Sequence, residues 1–493
     1  MFGTLWIFSS DHELVQLSGR LVFVLLLAPV FDSVPIDKDE VEAGEGEWEL
    51  RPLPLAIRCS WKARSSVCNA SAMILRCLLC LLLPAAAFAQ RLSPLAPEPA
   101  WAELEAFQET ITREEFVRLL GEVYAPDGAS AGLIEVGPET ALIRTRLAPA
   151  TTMTLRFAAN AEAAKPTPRF WRAAAELGPA PADQPLKGWR IALDPGHIGG
   201  DWARMEERWF RIGETLPVTE GDMALRVAEH LAPQLTALGA EVLWVRKTTE
   251  PVTPDRPETL RPLARAELAR QGNTNPRENY ESFDDPTRGD TVQALSELLF
   301  YRTAEIRHRA KLVNEQLRPD ITVCLHFNAE AWGDPREPQF VPRNHLHTLI
   351  NGAYSAGELR NDDVRFDMLM KLLNRCLPEE ISASEAVVET LASASGLPPF
   401  NYPTTNARRV GSSAYLWARN LLANRLYRTP VIFLEPYVMN SQSVWERVQL
   451  GDYEGTRPID GIPRQSIFRE YAGAVAEGLR GHASAARGEP KRN

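Results

Sequence analysis

Four residues of this 493-residue chain have the types and placement to do metal-assisted or acid–base chemistry: His197, Glu220, His326 and Glu435. His197 ends the stretch WRIALDPGH, a few residues after an apolar run, while His326 directly follows Leu325 in DITVCLHFN and Glu435 directly follows Leu434 in TPVIFLEPY. Two imidazoles and one carboxylate are a common ligand set for catalytic zinc, which keeps a fourth position for water. A second carboxylate is then free to move a proton. Glu220 and Glu435 are the best pair for these jobs: Glu220 opens a helical stretch and can hold a metal at its N-terminal end, and Glu435 closes an apolar strand.

The elements around these residues explain why they should meet. From Gly188 onward, apolar strands (IAL, AEVLWVR, ITVCL, HLHTLING, VIFL) alternate with amphipathic helices (GDMALRVAEHLAPQLTALG, LLFYRTAEIRHRAKLVNEQL, DVRFDMLMKLLNRC, IFREYAGAVAEGL). That alternation predicts a layered α/β domain over 188–484 with a mainly parallel twisted sheet flanked by helices. IAL, ITVCL and VIFL are nearly continuous apolar runs, as expected of central strands covered on both faces. Ligands of open α/β sheets bind outside the carboxyl ends of the strands, so three polar groups at three such ends should converge. Two polar intervals, about 248–292 and 379–408, exceed ordinary connection lengths and are expected to be substrate-shaping or mobile insertions.

A small α+β module, 90–180, precedes this domain, with a helix in TREEFVRLLGEVY and three short alternating runs. It reads as a packing or spacing domain, joined by the Ala- and Pro-rich stretch AAAELGPAPADQPLKG. Further upstream, MILRCLLCLLLPAAAFAQ from Met73 has a positive residue, an apolar core and an Ala-Phe-Ala cleavage pattern, so 73–89 is expected to be a secretory signal peptide and 1–72 a non-native upstream extension. The apolar run is too short to span a bilayer, which takes about 20 residues, and no stable membrane insertion is expected after cleavage.

The net charge of −10 becomes −7 once the 7 Lys/Arg and 10 Asp/Glu of residues 1–89 are removed. An acidic balance argues against a general nucleic-acid-binding surface. Of six cysteines only Cys324 and Cys376 remain, in an apolar strand and at a helix end, and both are expected to be buried free thiols. His345 and His347 alternate on one face of a short strand and read as polar-face or groove residues rather than a ligand pair. His230, His308 and the mixed charges of RHRAKLVNEQ read as solvated helix faces.

Taken together, IALDPGH, EGDMALRVAEHLAPQLTALGAEVLWVR, RAKLVNEQLRPDITVCLHFNAE and TPVIFLEPYVMNS followed by a last helix resemble the zinc-dependent N-acetylmuramoyl-L-alanine amidases of the third amidase family. The resemblance covers about Gly188 to His482. It implies one Zn2+ per catalytic domain held by His197, Glu220 and His326, with Glu435 as the catalytic glutamate and Asn440 following it. The implied reaction is hydrolysis of the amide between N-acetylmuramic acid and L-alanine in peptidoglycan, by zinc-activated water with a glutamate base, in the periplasm or outside the cell. Asp194 and Asn328 flank the histidines and are candidates for orienting them, and Arg419 is a candidate contact for a substrate carboxylate. The alternatives are a zinc peptidase acting on cell-wall peptides and a non-catalytic wall-binding protein with the same fold; an activator protein is left open.

The chain departs from the family in the turn IGGDWARMEERWFRIGETLPVTE, which sets His197 and Glu220 23 positions apart. Glu206, Glu207 and Glu214 therefore stay rivals of Glu220 for the metal. Pro436 after Glu435, and CLHFNA in place of SIHANA, are further departures that bear on substrate preference.

Overall fold

The computed structural model describes residues 91–331 and 339–488, together with two short strands, Trp6–Phe8 and Leu14–Gln16, that pair antiparallel. The expected upstream extension, those two strands apart, and the expected signal peptide lie outside the described residues. The N-terminal module comprises α1 (Arg113–Leu119) and an antiparallel meander of β1 (Ile134–Val136), β2 (Thr140–Leu147) and β3 (Ala150–Arg156). Thr112 caps α1 by accepting from the Glu115 amide, which satisfies one of the otherwise orphaned first-turn donors.

Seven strands then build one mixed sheet: β4 (Arg190–Pro195), β5 (Glu241–Trp244), β6 (Ile321–Leu325), β7 (Leu346–Ile350), β8 (Ala407–Arg409), β9 (Leu416–Arg419) and β10 (Val431–Pro436). Their order across the sheet is β8-β9-β7-β10-β6-β4-β5. Strands β5, β4, β6 and β10 are mutually parallel. Beyond β10 the direction reverses, with β7 antiparallel to β10, β9 parallel to β7 and β8 antiparallel to β9. The sheet is thus parallel where the apolar runs predicted it and mixed at one side; β8 (ARR) and β9 (LWAR), at three and four residues, are too short to have stood out in the sequence.

Alternate strand residues feed two helical layers. Ile191, Leu193, Val323, Leu325, Ile432 and Leu434 pack beneath α2 (Glu220–Ala237), α7 (Leu377–Ser395) and α8 (Ile467–Arg487). Ala192, Cys324, Leu349, Trp417 and Phe433 face the other way, toward Ala310, Val313 and Tyr427. That second layer includes a helical run, 292–317, in which α4 (Val292–Leu298) and α5 (Glu305–Lys311) are each followed by a π-helical turn. Both cysteines are buried and free, as expected.

Four expectations about organisation need correction. The interval 248–292 holds a 14-residue helix, α3 (Pro257–Arg270), whose Leu260, Ala264 and Leu268 pack with Ile198 and Phe300. The interval 379–408 is mainly the buried helix α7, whose polar residues are paired inside: Lys371 of α6 (Asp362–Leu373) lies 2.7 Å from Glu380, both fully buried, and Glu379 meets His482 at 2.8 Å. Finally, the stretch after Ala173 is no free linker, because Arg487 donates to the carbonyls of Gly178, Pro185 and Lys187 and Trp189 is fully buried. The module is likewise not a separate core: Leu104, Phe116 and Tyr124 share one cluster with Ile350, Leu369 and Leu416.

Candidate metal centre

Strand β4 runs out into Asp194-Pro195-Gly196-His197, and Gly196 extends its pairing by donating to the Leu325 carbonyl of β6 at 2.8 Å. His197 adopts a left-handed backbone, φ +57°, a conformation uncommon for a residue with a Cβ and held only where surroundings over-determine it. Two buried arginines do so. Arg246 donates to the carbonyls of Pro195, Gly196 and Gly221, and Arg309 donates to those of Pro195 and His197. Three successive carbonyls of the turn therefore each have a guanidinium partner.

Glu220 sits at the first position of α2, buried to 2% exposure. Gly221 lets that first turn abut the His197 turn, since a Cβ there would lie 2.2 Å from the Ile198 carbonyl oxygen. His326 follows β6 directly and stacks on Phe433 of β10, ring centroids 4.4 Å apart. The imidazole of His326 in turn presses on Gly196, the one residue type that leaves room for it.

His197, Glu220 and His326 converge so that one ligand atom from each lies within 4.8 Å of the others. His197 Nε2 is 3.2 Å from Glu220 Oε2, and His326 Nδ1 is 3.1 Å from Glu220 Oε1. A tetrahedral zinc with bonds of ~2.0–2.1 Å has ligand-to-ligand edges of roughly 3.3 Å; each imidazole is at about that distance from one of the two Glu220 oxygens, and the three ligand atoms stay within 4.8 Å, so the donor set fits zinc in chemistry and lies close enough to close on one ion. Among the described residues this is the single group of three or more His, Cys, Asp or Glu with that convergence.

The electrostatics agree with a site built for positive charge. Burial disfavours a charged His197, but the charges of Glu220 and Glu206 outweigh it and push the imidazole pKa up to about 10. Burial also works against an ionised Glu220, yet His197 and His326 hold its carboxyl well below the usual carboxylate range. Arg208 adds a further cation, its Nε 3.3 Å from Glu220 Oε2 and 3.4 Å from His197 Nε2. A small pocket lined by His197, Glu206, Arg208, Tyr301 and Arg302 lies on the His197 side of the group.

Glu435 closes β10 opposite His347 of β7, next to His326, whose amide donates to the Leu434 carbonyl at 3.1 Å. It is half-buried, and its charge reaches Tyr402 and Tyr471, helping to raise both phenols. Asn440, beyond it, accepts from the Glu330 amide at 3.0 Å and so ties the loop after Glu435 to the loop after His326.

The remaining expected residues fall elsewhere. Asp194 does not orient either histidine: its carboxylate takes Arg309 at 2.9 Å and the Tyr427 hydroxyl. Asn328 does not either, since its Oδ1 accepts from the Ala329 amide and its backbone bonds Pro436 and Met439. The carboxylate on His197 Nδ1 is Glu206, at 2.8 Å. Of its fellow rivals, Glu207 pairs with Arg288 at 2.5 Å and Glu214 is exposed. Arg419 is buried, its guanidinium over the Tyr402 ring.

His345 and His347 are buried rather than groove-lining. His345 Nε2 meets Glu330 at 2.8 Å and His347 Nε2 meets the Tyr402 hydroxyl at 3.0 Å. His230 pairs at the surface with Asp452. The helix face of RHRAKLVNEQ is not solvated throughout, because Arg309 is 4% exposed. Arg246 and Arg309 are the site residues that the sequence reading missed, the signal being only their charge beside apolar neighbours, whereas Glu206, kept there as a rival ligand, instead contacts the His197 ring and the Ile198 amide.

The fold and site thus define a layered α/β protein with a His–Glu–His group at the carboxyl ends of its central strands. No family model matches the chain, and no curated protein matches it. Among solved structures it is similar to the N-acetylmuramyl-L-alanine amidase Ami1 from Mycobacterium smegmatis, at 17% identity over 60% of this chain and 98% of that one, TM-score 0.30. It is also similar to the CwlD amidase from Clostridioides difficile in complex with the GerS lipoprotein, at 13% identity over 59% and 96%, TM-score 0.31. A third is the N-acetylmuramoyl-L-alanine amidase AmiC2 of Nostoc punctiforme, at 12% identity over 59% and 96%, TM-score 0.29.

Proposed function

We propose that the chain is a zinc-dependent N-acetylmuramoyl-L-alanine amidase that hydrolyses the amide between the muramic acid lactyl group and L-alanine of peptidoglycan. The observation that carries this reading is the convergence of His197, Glu220 and His326 within 4.8 Å at adjoining strand and helix ends, with Glu435 at the next strand end. Those three residues would hold the zinc, and when bound the ion supplies Lewis-acid polarisation and a lowered water pKa, worth several kcal/mol at the transition state. Glu435 accepts the proton of the attacking water and returns it to the leaving amine nitrogen, a transfer worth about 10²–10⁴-fold. The two buried arginines hold the His197 turn still while this happens. Arg302, which lines the small pocket beside His197, would supply positive charge for the carboxylates of a wall peptide. The wall lies beyond the inner membrane, and segment 73–89 would carry the chain there. Among the described residues no helix is long and apolar enough to cross a membrane.

The test is mass spectrometry of purified peptidoglycan digested by the zinc-loaded protein. Free peptides that begin with L-alanine are expected from wild type, and Glu435→Gln should keep its zinc yet release none. Fragments cut within the stem peptide would instead identify a wall peptidase, and an intact wall would refute hydrolysis altogether.

A further inference from the structure

The carboxylates around His197 include one that the ligand group does not use. Glu206 ends the short helix Trp202–Met205, inside the long connection that separates His197 from Glu220, and is 6% exposed. Its Oε1 lies 2.8 Å from His197 Nδ1, and its Oε2 accepts from the Ile198 amide at 2.7 Å. One carboxylate therefore grips the ring and the next peptide unit of the same turn. The opposite ring nitrogen, Nε2, is the one that faces Glu220 Oε2 at 3.2 Å.

We propose that Glu206 is a positioning residue for the metal ligand His197: it accepts a hydrogen bond from Nδ1–H, leaves Nε2 as the lone pair aimed at the ion, and stops the ring from turning. The inference rests on the metal site of the reading above. Neutral imidazole carries one lone pair on one nitrogen, so whichever group binds the N–H decides which atom can ligate. A carboxylate on that N–H also makes the opposite nitrogen more basic. Arg246 and Arg309 already fix the backbone of the turn, through the carbonyls of Pro195, Gly196 and His197. Ring rotation is the freedom left, and Glu206 removes it. Glu207 and Glu214, from the same connection, point to Arg288 and to solvent and have no such role. The connection in which this chain departs from the resembled family thus supplies the support of its first metal histidine.

The experiment titrates the chelator-stripped full-length chain with Zn2+ and Co2+ against a chromophoric competitor, for wild type, Glu206→Gln and Glu206→Ala, alongside thermal melts of the metal-free proteins. Wild type should take up one equivalent. Glu206→Ala should bind zinc about 10–100-fold more weakly, Glu206→Gln should fall between, and the Co2+ visible spectrum of both should change. Glu206→Gln keeps the side-chain size and an acceptor for the Ile198 amide, so it carries the test if the alanine variant does not fold. Variants within about twofold of a metal-binding wild type, with an unchanged Co2+ spectrum, overturn the inference alone. A wild type that takes up no metal overturns the metal reading and this inference with it.

Discussion

Gly196 lies so close to the imidazole of His326 that a Cβ on it would sit 2.3 Å from Cε1 and 2.5 Å from both ring nitrogens. A real Cβ contact is not that short, so Gly196→Ala must push the His326 ring away from Glu220. Zinc affinity should fall at least about tenfold, roughly 1.4 kcal/mol, while far-ultraviolet circular dichroism stays that of wild type. Competition titration against a chelator reads the first quantity. Unchanged affinity would show that His326 does not ligate in this pose.

Arg208 places a guanidinium on the same two atoms, His197 Nε2 and Glu220 Oε2, that a zinc ion needs. A guanidinium and a divalent ion ~4 Å apart repel by about 8 kcal/mol at an effective dielectric of 20, most of it recovered when a long side chain swings aside. Arg208→Ala should therefore bind zinc more tightly, by about tenfold. Isothermal titration of the stripped protein measures this, and weaker binding in the variant would mean that Arg208 supports the ligands rather than competing for them.

Protonation of His197 sets a pH dependence for the stripped protein and the opposite trend for the stabilisation that zinc adds. The folded chain binds this proton with a pKa of about 10 against an ordinary 6.5, so the proton stabilises the stripped fold fully below about pH 6.5, and that stabilisation is lost as pH rises through about 10. Glu220, held below its ordinary value, acts oppositely and contributes above about pH 4.5, losing its contribution only as pH falls through its depressed pKa. Melting temperature of the stripped protein should thus decline between about pH 7 and 10. Zinc has to expel the proton, so the rise in melting temperature on adding zinc should grow over the same window. A zinc-induced rise that stays flat across it would contradict the assignment of His197.

Arg309→Met tests the scaffold beneath the turn. The substitution leaves Asp194 and Glu305 buried without their shared cation and strips a donor from the carbonyls of Pro195 and His197. Breaking a buried pair in this way costs about 3–5 kcal/mol, to be read from denaturant unfolding. A loss below about 1 kcal/mol would mean that water or another side chain replaces the guanidinium.

Sequence and structure agree best where burial is written in apolar residues. The runs IAL, ITVCL and VIFL became the parallel centre of the sheet, and the polar residues just past them, His197, His326 and Glu435, came to adjoining strand ends. Agreement fails where charges are buried in pairs. Glu379 and Glu380 made α7 read as a polar interval, although His482 and Lys371 pair with them inside the fold. Arg309 looked like part of a solvated helix face for the same reason, and Asp194 was matched to a histidine when its partner was this arginine, 115 residues away. A single chain records the charge of each residue but not which distant charge meets it.

The common cluster of Leu104, Phe116 and Tyr124 with Ile350, Leu369 and Leu416 gives the N-terminal module and the sheet one shared core. Removing it would leave that apolar surface facing water, at about 25 cal/mol for every Å² uncovered. Unfolding should then appear in a calorimeter as one cooperative event rather than two. A module wired in this way is not a cassette that recombination can exchange for another domain; whatever it contributes has to be inherited together with the half that carries the His–Glu–His group.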